Sequence, residues 1–561
     1  MRTSVAGRFR GGKAPVAAAP LLIVVLLLLA ATGCGAAAEP TPTAPQTGEV
    51  KRGGIFRTSA GEDPVNFDPM LQTSVRNQQR VGGSYNRLYR FSFYEMGVLE
   101  PDLAEKFEVS SDGLTYTFTL RSGVKFHKIE GVPGSGTDLD CADVKHSLDK
   151  YRNPEQSKKA SDLIAVDTIQ CDPANPLKVV FKLRQSDAGL VSMLSAGWAS
   201  IFPSELPWED LKTTVIGTGP FIWKSYTKAG KSVTERNPEY WRKGFPYLDG
   251  VENIVFPREE VGFTAFRAKQ LDMNSYMQYI YPAEASILKA NHPEVTVSLL
   301  PRLWWHGIEG QWDKPPWNDI RVRQAFNLAL NRPRAVEILG QGVGDYGGWQ
   351  PPWTSWSLPR AELDQYVGKA DGSDMPARIE KAKKLLQEAG YTSGLKLKLM
   401  AANTREGMST PQYVQDQLKA VGVELTLEPL DTATLTDRQD RRDFDLKSGG
   451  GTAGVINPSL FYGNFFLCKA PANYSNYCDK DFDALYAAQL SEPNEAKRRE
   501  IVWQMERKVL TDLPRVPVRY VSEGMAWWPW VKNFHDVDPG YYNNVTMEEV
   551  WLDRDHPGYP K

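Results

Sequence analysis

Apolar and polar positions alternate along much of this chain. Leu114, Tyr116, Phe118 and Leu120 stand against Thr115, Thr117 and Thr119. A period of two puts the first set on one face of a strand. Lys106-Phe107-Glu108-Val109 ends at the turn Ser111-Asp112-Gly113, so these two runs read as paired strands. Leu177 to Leu183 alternates in the same way, and Gly54 to Thr58 reads as an opening strand. Elsewhere the period lengthens. Val322, Ala325, Phe326, Ala329 and Leu330 recur at helical spacing, with Asn318 or Asp319 as cap. Asn331-Arg332-Pro333 restarts a helix with Pro at an early position. Asp140-Cys141-Ala142-Asp143 opens another, its acidic residues suiting the helix dipole. Ile379, Ala382, Leu386 and Ala389 form a further helical stripe, closed by Gly390. Leu395, Leu397 and Leu399 then alternate with lysines. A helix over Tyr413 to Val421, stopped by Gly422, precedes a strand carrying Val423, Leu425 and Leu427. Helices and strands in this alternation predict an α/β fold with a partly parallel sheet.

The amino terminus follows another pattern. Arg2, Arg8, Arg10 and Lys13 precede an apolar run from Val16 to Ala30, then Ala31, Thr32, Gly33 and Cys34. Basic start, apolar middle and small-residue exit make residues 1–33 a signal peptide. A Cys straight after small residues resembles the lipobox of bacterial lipoproteins, which implies cleavage before Cys34 and acyl chains on it. At about 0.8 kcal/mol per buried CH₂, several chains hold a protein firmly on a membrane. Residues 34–50, rich in Ala, Pro and Thr, cannot bury enough apolar surface to order themselves and read as a flexible tether. The expected location is extracytoplasmic, periplasm or cell surface, with a lipid anchor.

Setting Cys34 aside leaves four cysteines, an even number in an exported chain, which points to disulfides. Three pairings are possible. The local one, Cys141–Cys171 with Cys468–Cys478, closes the shortest loops, worth about 3.6 and 2.7 kcal/mol in chain entropy. No Cys or His spacing suggests a metal site, and none is expected. Lys and Arg number 66 against 68 Asp and Glu, so nucleic acid is not an expected partner. Gly230-Lys231-Ser232 looks like the tail of a phosphate loop, but Ser225 occupies the required first Gly position. The six His show no nucleophile or metal pattern. No enzyme and no cofactor is expected. A mature chain of this length exceeds what one core fills, so it should divide into lobes.

Several segments together resemble one family. They are Pro101-Asp102-Leu103-Ala104-Glu105, Asp112 to Phe118, Leu120 to His127, Gly217-Thr218-Gly219-Pro220-Phe221, Arg236 to Trp241, Pro246 to Val251, Lys314 to Ala325, and Ala382 to Tyr391. In this order they are similar to the extracellular solute-binding proteins, family 5, of ABC importers: peptide, nickel and opine binders. The resemblance implies a periplasmic-binding-protein type II-like fold, two lobes with a hinge plus an inserted small domain. Lobe I would be discontinuous, residues 51–92, 210–300 and 520–561, extended by an inserted domain over 93–209. Lobe II would be 301–519. It implies a monomer that captures a peptide or peptide-like solute in the interlobe cleft and delivers it to an ABC permease with its ATPase. A surface receptor or chaperone lipoprotein on the same scaffold is the alternative.

In peptide-binding members, a second-lobe loop carries an Asp that pairs with the peptide's amino group. The matching loop here runs from Phe444 to Pro458. Gly454 stands at the Asp position, and Gly451 where a Trp is common. An ammonium buried without a carboxylate is costly, so a standard oligopeptide is disfavoured. An oligosaccharide or other non-peptide solute fits glycines that admit it to the backbone and Trp faces that stack on it. The candidate contacts are Trp304 and Trp305, where the chain should cross between lobes, Trp349 and Trp353 on a Gly/Pro loop, Glu309, Gly451, Gly454 and Asn457. Trp527 to Trp530 are expected to pack the C-terminal strand instead, and Asp445 to be structural.

Overall fold

Two long strands, Thr296–Gly310 and Arg515–Trp527, run antiparallel through the middle of the molecule. The computed structural model describes residues 49–561 except 62, 73, 96, 257, 275–279, 453, 455, 471, 538–546 and 561. The expected signal peptide, Cys34 and nearly all of the expected tether lie outside the described residues. No helix among those residues is long and apolar enough to cross a membrane.

The long pair is the centre of a ten-stranded sheet. On one side, the first lobe, come Met273–Asn274, Ile55–Ala60, Gly250–Val255, Lys231–Arg236 and Phe221–Tyr226 in that order. On the other, the second lobe, come Leu446–Gly451, Leu395–Ala402 and Val423–Leu430. Thr296 pairs with Trp527 at the first-lobe end, and Glu309 with Arg515 at the second-lobe end. Between them the register slips twice, once from Pro301 to Trp305 and again between His306 and Gly307. The first irregularity leaves Arg302, Leu303 and Trp304 outside the ladder where one lobe gives way to the other. Such bulges bend and twist a strand.

Local chemistry accounts for most elements. Asp319 is the cap of helix Ile320–Ala329, accepting from the Arg321 N–H at 2.9 Å. Asn331 caps Arg332–Leu339. Asp140 and Asp143 form a capping box on Cys141–Tyr151. The helix expected from Tyr413 begins earlier, at Arg405, and runs to Lys419 with Pro411 inside it. Thr404 caps it, accepting from Gly407 N–H at 3.0 Å. Pro411 is the seventh of its fifteen residues and lacks the N–H that would reach the Gly407 carbonyl, yet the helix continues through it.

A separate four-stranded antiparallel sheet is built from Ala104–Val109, Thr115–Leu120, Asn175–Leu183 and Val166–Asp172. Cys141 on the adjoining helix is bonded to Cys171 on the last strand, with Cα atoms 5.6 Å apart. Cys468 and Cys478 form the second disulfide, ten residues apart. A fully buried ion pair, Lys150 Nζ to Asp68 Oδ2 at 3.0 Å, fixes this small unit to the first-lobe side.

The buried apolar residues form three clusters. One fills the first lobe around Trp528 and Trp530, whose rings stack 5.1 Å apart. A second lies under the helices of the second lobe, on Ile308, Val516 and Val518. The third runs from the small unit into the helices after Gly451 and includes Trp305 and Trp349. Mixed α/β elements, one shared sheet and two strand crossings make this the two-lobed type II binding-protein fold.

Candidate functional site

The strand directions locate the site. In the first lobe Ile55–Ala60 runs parallel to Gly250–Val255 and to Met273–Asn274. In the second lobe Leu395–Ala402 runs parallel to both of its neighbours. Met273–Asn274 and Leu446–Gly451 are each antiparallel to the long strand beside them. The two parallel sets therefore point at each other. Their carboxyl ends, Ala60, Val255 and Asn274 against Ala402, Leu430 and Gly451, face the junction from opposite sides. Ligands of open α/β sheets bind outside such ends. At the end of Gly250–Val255 lies an open groove of ≈ 730 Å³ bounded by Phe256, Arg258, Glu260 and Gln270. Asn274 closes the neighbouring strand. Its Oδ1 accepts from Ser59 Oγ at 3.1 Å, and its buried Nδ2 has no hydrogen-bond partner among the described residues.

On the second-lobe side aromatic rings dominate. Trp305 is 3% exposed and packs edge-on against Trp349 (4.7 Å between centroids) and Phe465 (5.7 Å). Trp353, partly buried, meets Tyr520 edge-on at 5.1 Å, and Tyr520 stands opposite Trp305 in the ladder. The indole N–H groups of Trp305, Trp349 and Trp353 are buried without a hydrogen-bond partner among the described residues. Trp304 is partly buried. It lies on the other face of the sheet, with its ring 5.8 Å from that of His306. The four tryptophans thus divide: Trp305, Trp349 and Trp353 come together, and Trp304 stands apart.

The glycines have a use that the sequence did not disclose. A Cβ on Gly451 would lie 2.5 Å from Phe465 Cζ, and one on Gly450 would lie 2.3 Å from Trp304 Nε1. These residues admit the protein's own rings to the backbone. Gly451 faces Trp305 across the ladder and is covered. Gly454 is buried with φ +79°, a left-handed conformation that favours glycine, and its N–H donates to Thr452 Oγ1 at 2.9 Å. Asn457 caps the helix Pro458–Phe465, its Oδ1 accepting from Ser459 N–H at 2.9 Å. Its Nδ2 donates to the Gly189 carbonyl at 3.4 Å. Asp445 accepts from the Lys398 N–H at 3.1 Å, a structural tie between adjacent strands.

Glu309 is buried at 3% exposure and engaged. Lys447 Nζ lies 3.1 Å from its Oε1 and Arg515 Nε 2.9 Å from its Oε2. Burial holds the Arg515 guanidinium below its usual range, opposed by the Glu309 charge. The Phe465, Phe466 and Trp305 rings surround that guanidinium at 5.3–5.7 Å. Glu506, fully buried on the helix Glu495–Asp512, accepts from the backbone N–H groups of Trp349 (2.5 Å) and Gln350 (3.3 Å) and from the Tyr462 hydroxyl. It fixes the Trp349 loop, and burial raises its carboxyl to about 7. Burial, with Arg519 and Lys447 nearby, pushes His306 down to about 3, so its imidazole is neutral. Lys447, Phe465, Glu506, Arg515 and Tyr520 were not among the residues picked from sequence. The one available signal was positional: Arg519 interrupts the apolar run Val516 to Val521, and Arg515 directly precedes it.

The arrangement suits holding a solute between lobes. Among the described residues no group of three or more His, Cys, Asp or Glu is arranged to hold a metal ion. A sequence profile of the bacterial extracellular solute-binding proteins, family 5 middle region, matches residues 98–473. The dipeptide-binding protein of Escherichia coli K12 is 26% identical over 522 residues, covering 86% of this chain and 93% of its own. Heme-binding protein A of Haemophilus influenzae is 26% identical, with 85% and 89% covered. Among solved structures, the Helicobacter pylori periplasmic binding protein DppA, in complex with the peptide STSA, superimposes with a TM-score of 0.74 at 22% identity, over 90% of this chain and 98% of that one. With the profile spanning more than half of its length, and a fold that turns two sets of strand ends toward one junction, this chain belongs to the bacterial extracellular solute-binding proteins of family 5.

Proposed function

We propose that this protein is the substrate-binding lipoprotein of an ABC importer, taking a peptide or peptide-like small solute between its lobes and handing it to a membrane permease. The observation that carries the reading is the opposition of the two sets of strand carboxyl ends across the long strand pair. A solute touching both sides stabilises closure by the contacts it gains only when the lobes are together. The dipeptide- and peptide-binding relatives support peptides as the first class to test. The anchor of this reading is Cys34, so Cys34→Ser is expected to leave the exported protein free of acyl groups; an acylated mature mass would refute the lipobox.

One observation favours a solute without a free amine, such as an oligosaccharide. Gly454 offers no carboxylate to an ammonium group. Peptides with free and blocked amino termini are expected to bind alike in calorimetric titrations. A strong preference for the free amine would overturn the assignment of Gly454. Native mass spectrometry of protein purified from its own host would identify the retained solute, and recovery of none at any lobe-closing concentration of peptide or sugar would count against the importer reading.

A further inference from the structure

The small four-stranded unit touches the second lobe as well as the first. Its ties to the first-lobe side include Lys150–Asp68, the His127 N–H to the Gly217 carbonyl at 2.9 Å, and the Ile201 N–H to the Asn86 carbonyl at 3.1 Å. Among the described residues it makes polar contact with the second lobe at the turn Asp187-Ala188-Gly189, between strand Asn175–Leu183 and the helical turn Leu190–Met193.

All three residues of that turn are engaged. The Ala188 N–H donates to the Leu490 carbonyl at 3.0 Å. The Ala188 carbonyl accepts from Arg498 Nη1 at 3.4 Å, and the Gly189 carbonyl from Asn457 Nδ2 at 3.4 Å. Asp187, 4% exposed, turns its Oδ1 back onto the Gly189 N–H at 2.8 Å. Arg498 is 8% exposed and held from behind by Gln489 Oε1 at 3.0 Å and Ser459 Oγ at 2.8 Å. Its direction is therefore set before it reaches the turn. A Cβ on Gly189 would lie 2.7 Å from Asn457 Nδ2, so the approach is close. Gly189 itself has φ −90° and ψ −9°, which any residue adopts. Its small size serves the contact and not the local backbone.

We propose that this turn is a latch that biases the protein toward lobe closure. Rotation of the lobes about the long strands carries the small unit with the first lobe and must break the three hydrogen bonds at 187–189 and expose Asp187 and Arg498. The latch joins the small unit to the second lobe at Leu490, Arg498 and Asn457. It sets how much of the closure free energy the solute has to supply.

The wedge Gly189→Val tests it, because Val fits the local backbone and its Cβ clashes hardest across the interface, 2.7 Å from Asn457 Nδ2 against 3.2 Å from Asp187 Oδ1 within the turn. Arg498→Met removes the second-lobe donor and reads the same quantity should the wedge impair folding. Spin labels at Glu260→Cys and Lys396→Cys, one in each lobe, report lobe separation in the mature protein by pulsed electron resonance. The solute-free protein without either latch substitution is expected to give mainly the short distance. Both variants are expected to shift population to a longer one, with melting temperatures close to the parent. If neither substitution changes the distribution, or if the parent is already as open as the variants, the latch is wrong. That result leaves the importer reading untouched, since it measures closure without solute.

Discussion

Glu309→Gln is expected to lower the unfolding free energy by about 3–5 kcal/mol, measured by urea titration at neutral pH. The carboxylate is shared by two buried cations, Lys447 and Arg515, at 3.1 and 2.9 Å. Removing it leaves both without a counter-charge in a site closed by Tyr474, Phe465 and Trp305. The group is asymmetric, one carboxylate to two cations. Lys447→Met therefore leaves a balanced Glu309–Arg515 pair and is expected to cost less than half as much. Equal losses for the two substitutions would show that the carboxylate does not hold the group together. A binding defect in Glu309→Gln is then a consequence of a loosened second lobe, because the carboxylate is buried and both of its oxygens are ion-paired within the protein.

Trp305→Ala is expected to cost about 3–5 kcal/mol as well, by the cavity route. The indole fills the space between Trp349, Phe465 and the backbone of Gly451. Its loss removes the wall against which the Trp349 loop and the Arg515 guanidinium both pack. From sequence, Trp305 reads as a candidate solute contact, which would put affinity ahead of stability. Its burial reverses that order: melting temperature should fall first and solute affinity follow. Trp305→Phe keeps a ring and is expected to recover most of the loss. A change under about 1 kcal/mol in the Ala variant would mean that the neighbouring rings collapse into the gap.

Helix caps and strand periods were legible because they depend on neighbours a few residues away. Asp319, Asn331 and Asp140 cap where the pattern put helix starts, and Leu395 to Leu399 alternates as read. The helix Arg405–Lys419 extends eight residues ahead of the expected start at Tyr413, because its cap at Thr404 and its continuation through Pro411 depend on packing that the local pattern does not record. Gly450 and Gly451 were read as an opening for a solute. Nothing local shows that Trp304 and Phe465 lean over them. Glu309 reads from sequence as a candidate solute contact, because its partner Lys447 stands 138 residues away.

The order of apolar and polar residues determined the element types, their approximate ends and the α/β class, since each follows from burying one face of a short segment. The run of motifs from Pro101 to Tyr391 carried the family. Which carboxylate neutralises which cation, which tryptophans meet, and which turn bridges the small unit to the second lobe were settled only when the sheet brought distant segments together. Those choices rest on contacts between residues far apart in the chain, where no period or spacing in the sequence records the partner.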